Sequence, residues 1–160
     1  MSVLRGAMAG FAATVPMTIA MEALRAVLPR EQQRRMPPRE IVDRSIEKTD
    51  EGHQVDNADR FVITTAAHFA FGTAAGALYG LLVRSRDSST PTGIGYGLTV
   101  WALAYGAVLP AFGLHPAAED DTKDRNGVLI ASHVVWGATL GMLTRHDPKT
   151  ARRGYNRQAS

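Results

Sequence analysis

The chain has 160 residues, 45% of them hydrophobic, a formal charge of +3 and no cysteine. That length suits a single domain, and the lack of cysteine excludes a disulfide framework, a thiolate metal site and a cysteine nucleophile. A pI of about 9.6 would suit a nucleic-acid binder, but the basic residues are interspersed with acidic ones in the connecting segments. We therefore expect no nucleic-acid partner and assign the arginines to the surface of a lipid bilayer.

Mean hydropathy is only −0.11, yet Asp, Glu, Lys and Arg are absent from residues 6–21, 61–83, 88–118 and 126–144 and crowded between them. A water-exposed helix of such length would carry a polar stripe. These runs are Ala, Gly, Leu, Val and aromatic all round, which predicts an all-α integral membrane four-helix bundle with crossings at about 6–28, 61–83, 93–114 and 127–144. The bundle occupies residues 1–145 and is followed by a basic tail, 146–160.

The first crossing follows Arg5 and has the outline of a secretory signal; we read it as a retained helix. Steps of four along it pass through Gly6, Gly10, Thr14, Thr18 and Glu22, and Pro16 leaves the Ala12 carbonyl without its helical donor. The long connector holds PPREIVDRSIEKTDE, where Pro37 and Pro38 suit a helix start and Ile41, Val42 and Ile46 form an apolar edge. That predicts a short amphipathic helix on the membrane surface.

The second crossing carries HFAFGTAAG from His68, with Gly72, Gly76 and Gly80 four residues apart. A short turn, RSRDSSTPT, leads to the third, in which Pro110 frees the carbonyl of Gly106. An acidic connector containing Glu119, Asp120, Asp121 and Asp124 precedes the fourth. There HVVWGATLG repeats the pattern, with His133 four residues before Gly137 and eight before Gly141.

The repetition extends further. GAMAGFAATVPMTIAMEALRAVLP from Gly6 superimposes without a gap on GIGYGLTVWALAYGAVLPAFGLHP from Gly93. The chain thus reads as two tandem helical hairpins in the same orientation. Arginines in the 84–92 turn and the tail place both termini in the cytoplasm.

Small residues let helices approach closely in lipid, so the glycines are read as packing faces. The tryptophans and tyrosines are read as packing groups or interface anchors. His68 and His133 extend those faces, and with Glu22 they fall at a similar depth, roughly 10 Å inside one membrane face at 1.5 Å per residue. An ionisable group at such depth marks a candidate functional site. We expect Glu22, His68 and His133 to form one polar cluster, which is also the candidate set for a metal.

The segments ATVPM at 13–17, PPREI at 37–41, HFAFGTAAGALYG at 68–80, LPAFGLHP at 109–116 and HVVWGATLG at 133–141 resemble the YagU-like family of small uncharacterised bacterial inner-membrane proteins. The resemblance covers the chain to about residue 145. It implies a multi-pass protein of the bacterial inner membrane and carries no activity with it.

Three functions compete. The first is a non-enzymatic structural or accessory subunit that associates with itself or a larger complex through glycine-rich faces. The second is a transporter or proton-handling protein using the Glu22, His68 and His133 cluster, since histidine changes charge near neutral pH. The third is haem or metal binding through the two histidines, with or without Glu22. Enzymatic hydrolysis ranks below these: the chain has no Gly-x-Ser-x-Gly, no His-Glu-x-x-His and no phosphate-binding loop.

Overall fold

Each membrane-length helix starts on a side chain that accepts a hydrogen bond from its first turn. In a computed structural model describing residues 2–33, 37–47, 56–83, 87–112 and 122–145, Ser2 accepts from Arg5 N and opens α1, Val3–Ala26. Asp56 accepts from Asp59 N ahead of α3, Asn57–Leu82. Ser89 accepts from Thr92 N ahead of α4, Thr90–Ala111, and Thr122 from Arg125 N ahead of α5, Lys123–Thr144. All four starts fall about a turn before the expected crossings, and in α1, α3 and α5 the capped first turn carries charge. The predicted tail, the Arg84 and Arg86 positions and the acidic residues 119–121 lie outside the described residues.

The four helices have 24, 26, 22 and 22 residues and are long and apolar enough to cross a membrane; at 1.5 Å per residue the shortest spans about 33 Å. Among the described residues there is no strand. The short helix α2, Pro37–Glu47, forms as expected from its sequence, with part of its apolar edge turned toward the bundle. Val42 is buried and Ile41 half-buried against the bundle, and Asp43 is buried with them.

Neighbouring helices run antiparallel, α1 against α3 and α4 against α5, with α1 and α5 packed together in the middle. The core lies along this central seam. Toward the start of α1 it comprises Ala9, Ala13, Met17, Ala75, Tyr79, Trp136 and Leu140; toward the end of α1, Met21, Tyr105, Val128 and Leu129. The outer helices keep apolar side chains outward, among them Phe61, Val62, Leu78, Leu81 and Leu103, as a lipid-facing surface requires.

Polar groups close both ends. The Arg5 guanidinium donates to the carbonyls of Leu143, at 3.3 Å, and Arg145, at 3.1 Å, covering acceptors that the end of α5 leaves open. Beside it, Thr144 Oγ1 donates to the Leu140 carbonyl, so in the hydroxyl chain Tyr79–Ser88–Thr144 each group donates to the next, over 3.2 and 2.7 Å. That chain joins α3, the α3–α4 turn and α5.

At the opposite end Arg125, 3% exposed, binds Glu40 of α2 at 3.4 Å and the Gln32 carbonyl at 3.3 Å. Gln32 also bonds Thr122 and Asp124. On the other flank of α2, Asp43 pairs with Arg60 of α3 at 3.1 Å and with Arg39 at 3.2 Å. Helix α2 is therefore fastened to both hairpins.

Candidate functional site

The contacts between helices within each hairpin are glycine on glycine. A Cβ on Gly10 would land on the Gly72 carbonyl and 2.7 Å from Gly76 Cα, and one on Gly76 would land on the Gly6 carbonyl and 2.6 Å from Gly10 Cα. Gly80 lies against Gly6 and Ser2, and Thr14 fills the notch at Gly72, its hydroxyl donating to the Gly10 carbonyl at 2.9 Å. In the second hairpin Gly93 and Gly97 meet Gly137 and Gly141 in the same way. The GIGYG segment signals those two partners as clearly as GAMAG signals theirs.

The shared contacts correct the superposition of the two histidines. Gly6 lies between Gly76 and Gly80, while Gly93 lies between Gly137 and Gly141; Gly10 meets the Gly72 carbonyl, while Gly97 meets the His133 carbonyl. Gly72 thus occupies the position that His133 has in the second hairpin. His68 lies one turn beyond it.

Pro16 is accommodated inside an unbroken α1. Pro110 acts differently: the residues before it, Ala104–Val108, form a π turn in which Leu109 N–H bonds the Ala104 carbonyl. Pro110 has no N–H and its ring crowds the carbonyl four residues back. The wider turn accommodates both effects, and such π turns often mark functional positions.

Glu22 does not join the histidines. Its side chain is 51% exposed and binds Arg25 at 2.8 Å. A four-residue step advances about 400° around a helix, so a ridge begun at Gly6 has turned by about 160° on reaching Glu22. Met17 and Met21 face the core in its place.

His68 and His133 both line a cavity of about 260 Å³ between the hairpins. Its floor is α1 and α5, through Thr14, Met17, Leu129 and Trp136. Its walls are α3 and the π turn of α4, and α2 closes its end with Pro38, Ile41 and Val42. At the other end Tyr96 donates to the Ala75 carbonyl at 2.8 Å, joining α4 to α3. Phe71 of α3 and Val108 of α4 line the cavity and are 55% and 50% exposed.

The two imidazoles are held differently. His133 Nδ1 lies 2.8 Å from the Leu129 carbonyl. A carbonyl only accepts, so Nδ1 carries the proton and, in the neutral ring, Nε2 is the acceptor. The Tyr105 ring stands edge-on to His133, centroids 6.0 Å apart. His68 stands edge-on to Phe69, and its Nε2 is buried without a hydrogen-bond partner. Among the described residues no group of three His, Asp or Glu side chains could hold a metal ion. The expected two-histidine, one-carboxylate set is not assembled, because Glu22 lies elsewhere.

Four membrane-length helices, paired into two like hairpins around an internal cavity, define a multi-pass membrane protein of repeat construction. The chain belongs to the family described as Protein of unknown function (DUF1440), which matches residues 8–142. No curated protein and no solved structure matches it.

Proposed function

We propose that the protein is a non-enzymatic membrane protein that takes a lipophilic small molecule from the bilayer into the cavity between its hairpins. The observation that carries this reading is the cavity itself, about 260 Å³, mostly apolar and lined in part by half-exposed side chains of α3 and α4, through which we place its opening to the bilayer. Ligand sites in helical bundles have this character: apolar walls with a few converging polar groups. In this reading the glycine faces serve to hold each hairpin together. They are occupied within the chain, so association with a second copy or a larger complex falls to the lipid-facing side chains. The YagU-like resemblance supports placement in a bacterial inner membrane, and the arginine-rich tail supports cytoplasmic termini.

Transport of the same molecule is a second reading, supported by the π turn and Pro110 beside the cavity, since interrupted helices line many transporter sites. Its polar centre is then His68 and His133 without Glu22. The test is native mass spectrometry of protein extracted in mild detergent, with a visible spectrum of the same sample. A retained lipophile is expected in the wild type and in Glu22→Gln. It should be lost from Ala104→Phe, which fills the cavity. Equal retention in Ala104→Phe would place the molecule outside the cavity, no retained molecule at all would remove the reading, and a Soret band would favour haem on the two imidazoles.

A further inference from the structure

We propose that the cavity recognises an uncharged lipophile with a hydroxyl-bearing aromatic head, a phenol or quinol, through His68 and His133; this rests on the cavity being a ligand site. A buried nitrogen without a partner is destabilising, and His68 Nε2 is such an atom on the wall of a cavity. The other buried, unpartnered side-chain nitrogen among the described residues, Trp101 Nε1, packs against the second core cluster and does not line the cavity.

His133 narrows the chemistry. With its Nδ1 proton committed to the Leu129 carbonyl, it offers Nε2 as an acceptor and calls for a donor. A carbonyl or ether oxygen cannot donate; a hydroxyl can donate to His133 and can also accept from His68. Among the described residues no Lys or Arg lines the cavity, and Arg125 is paired with Glu40, so a fixed anionic head finds no counter-charge among them. The remaining lining favours a flat ring: Phe71, Tyr105 and Trp136 offer aromatic faces, and Met17 and Met21 are adaptable thioethers that pack well against rings. An acyl or isoprenoid chain on that ring would leave through the mouth between Phe71 and Val108, among the lipid tails.

The experiment uses the full chain in lipid nanodiscs and three probes of nearly one shape: 4-octylphenol, 4-octylanisole and octylbenzene. Radiolabelled 4-octylphenol is measured by equilibrium binding and displaced by the other two. The phenol is expected to bind the wild type roughly tenfold tighter than the anisole, about what one hydrogen bond supplies. In His133→Phe that preference should fall to parity while octylbenzene still binds, and His133→Gln, which keeps an acceptor, should recover part of it. His68→Phe should likewise reduce it. Equal affinity of the three probes for the wild type overturns the proposal and leaves a lipophile cavity with water on His68. Failure of all three to bind removes the cavity reading as well. The wild-type comparison stands even if a variant does not fold.

Discussion

At the scale of single residues, the glycines divide by what faces them. A side chain on Gly76 meets the backbone of α1 within 3 Å, whereas one on Gly95 or Gly106 meets nothing within 4 Å. Backbone cannot move aside as a flexible side chain can, so Gly76→Leu should lower stability by roughly 3 kcal/mol or more. Gly95→Ala should leave the thermal midpoint in detergent unchanged. Equal melts for Gly76→Leu and wild type would show that α1 and α3 are held by something else. Composition alone does not separate the two kinds of glycine; the four-residue spacing does. The same spacing misleads at Glu22, because it follows a ridge that winds around the helix, whereas a core face stays on one side. Counting instead from Gly6 through Ala9, Gly10, Ala13, Met17 and Met21 follows the buried side of α1 and leaves Glu22 outside.

Among the elements, α2 is the one whose role the sequence leaves open. Its amphipathic pattern fits a lipid surface and a protein surface equally well. The choice is made by partners far along the chain, Arg60 and Arg125, whose pairing with Asp43 and Glu40 no local pattern announces. The Arg125 side chain is 4% exposed and its Glu40 partner 24%; removing one member of a buried pair strands the other. We expect Arg125→Ala to lower stability by roughly 3 kcal/mol, and Arg125→Ala with Glu40→Gln to cost less than the two single changes added together. Chemical denaturation in detergent of the four members of that cycle measures the coupling; strict additivity would show that Arg125 does not act through Glu40. The crossings themselves were legible because exclusion of charge is a property of each segment by itself. Their starts were displaced by a turn because capping residues such as Asp56 and Thr122 sit among charged neighbours.

For the whole molecule, four crossings put the α3–α4 turn on one side of the membrane and the start of α5 on the other. Single cysteines at Asp87 and Lys123, both exposed, should react with an impermeant maleimide from opposite sides, with position 87 on the cytoplasmic side. Reaction of both from one face of intact cells would break the topology. The duplication was visible in the sequence because glycine patterns recur, and the superposition of Gly6 on Gly93 holds, but the register of the second helix of each hairpin was not legible. Ser2 and Ser89 begin equivalent helices and lie against Gly80 and Gly141 respectively, and that correspondence sets the two histidines one turn apart.

The glycine ladder of α3 has a further consequence. Rungs repeated at equal intervals fix how near two helices lie but not their phase: Gly72, Gly76 and Gly80 offer three rungs to the two of α1. A slip of four residues, about 6 Å along the axis, would bring His68 opposite Gly10, the alignment the second hairpin already has with His133 and Gly97. What selects one notch over the next is therefore the hardware at the ladder's ends, Thr14 seated at Gly72 and Asp43 bolted to Arg60. The hairpin is a vernier, and the hydroxyl at Gly72 and the ion pair at Arg60 are two of the marks that set where His68 stands.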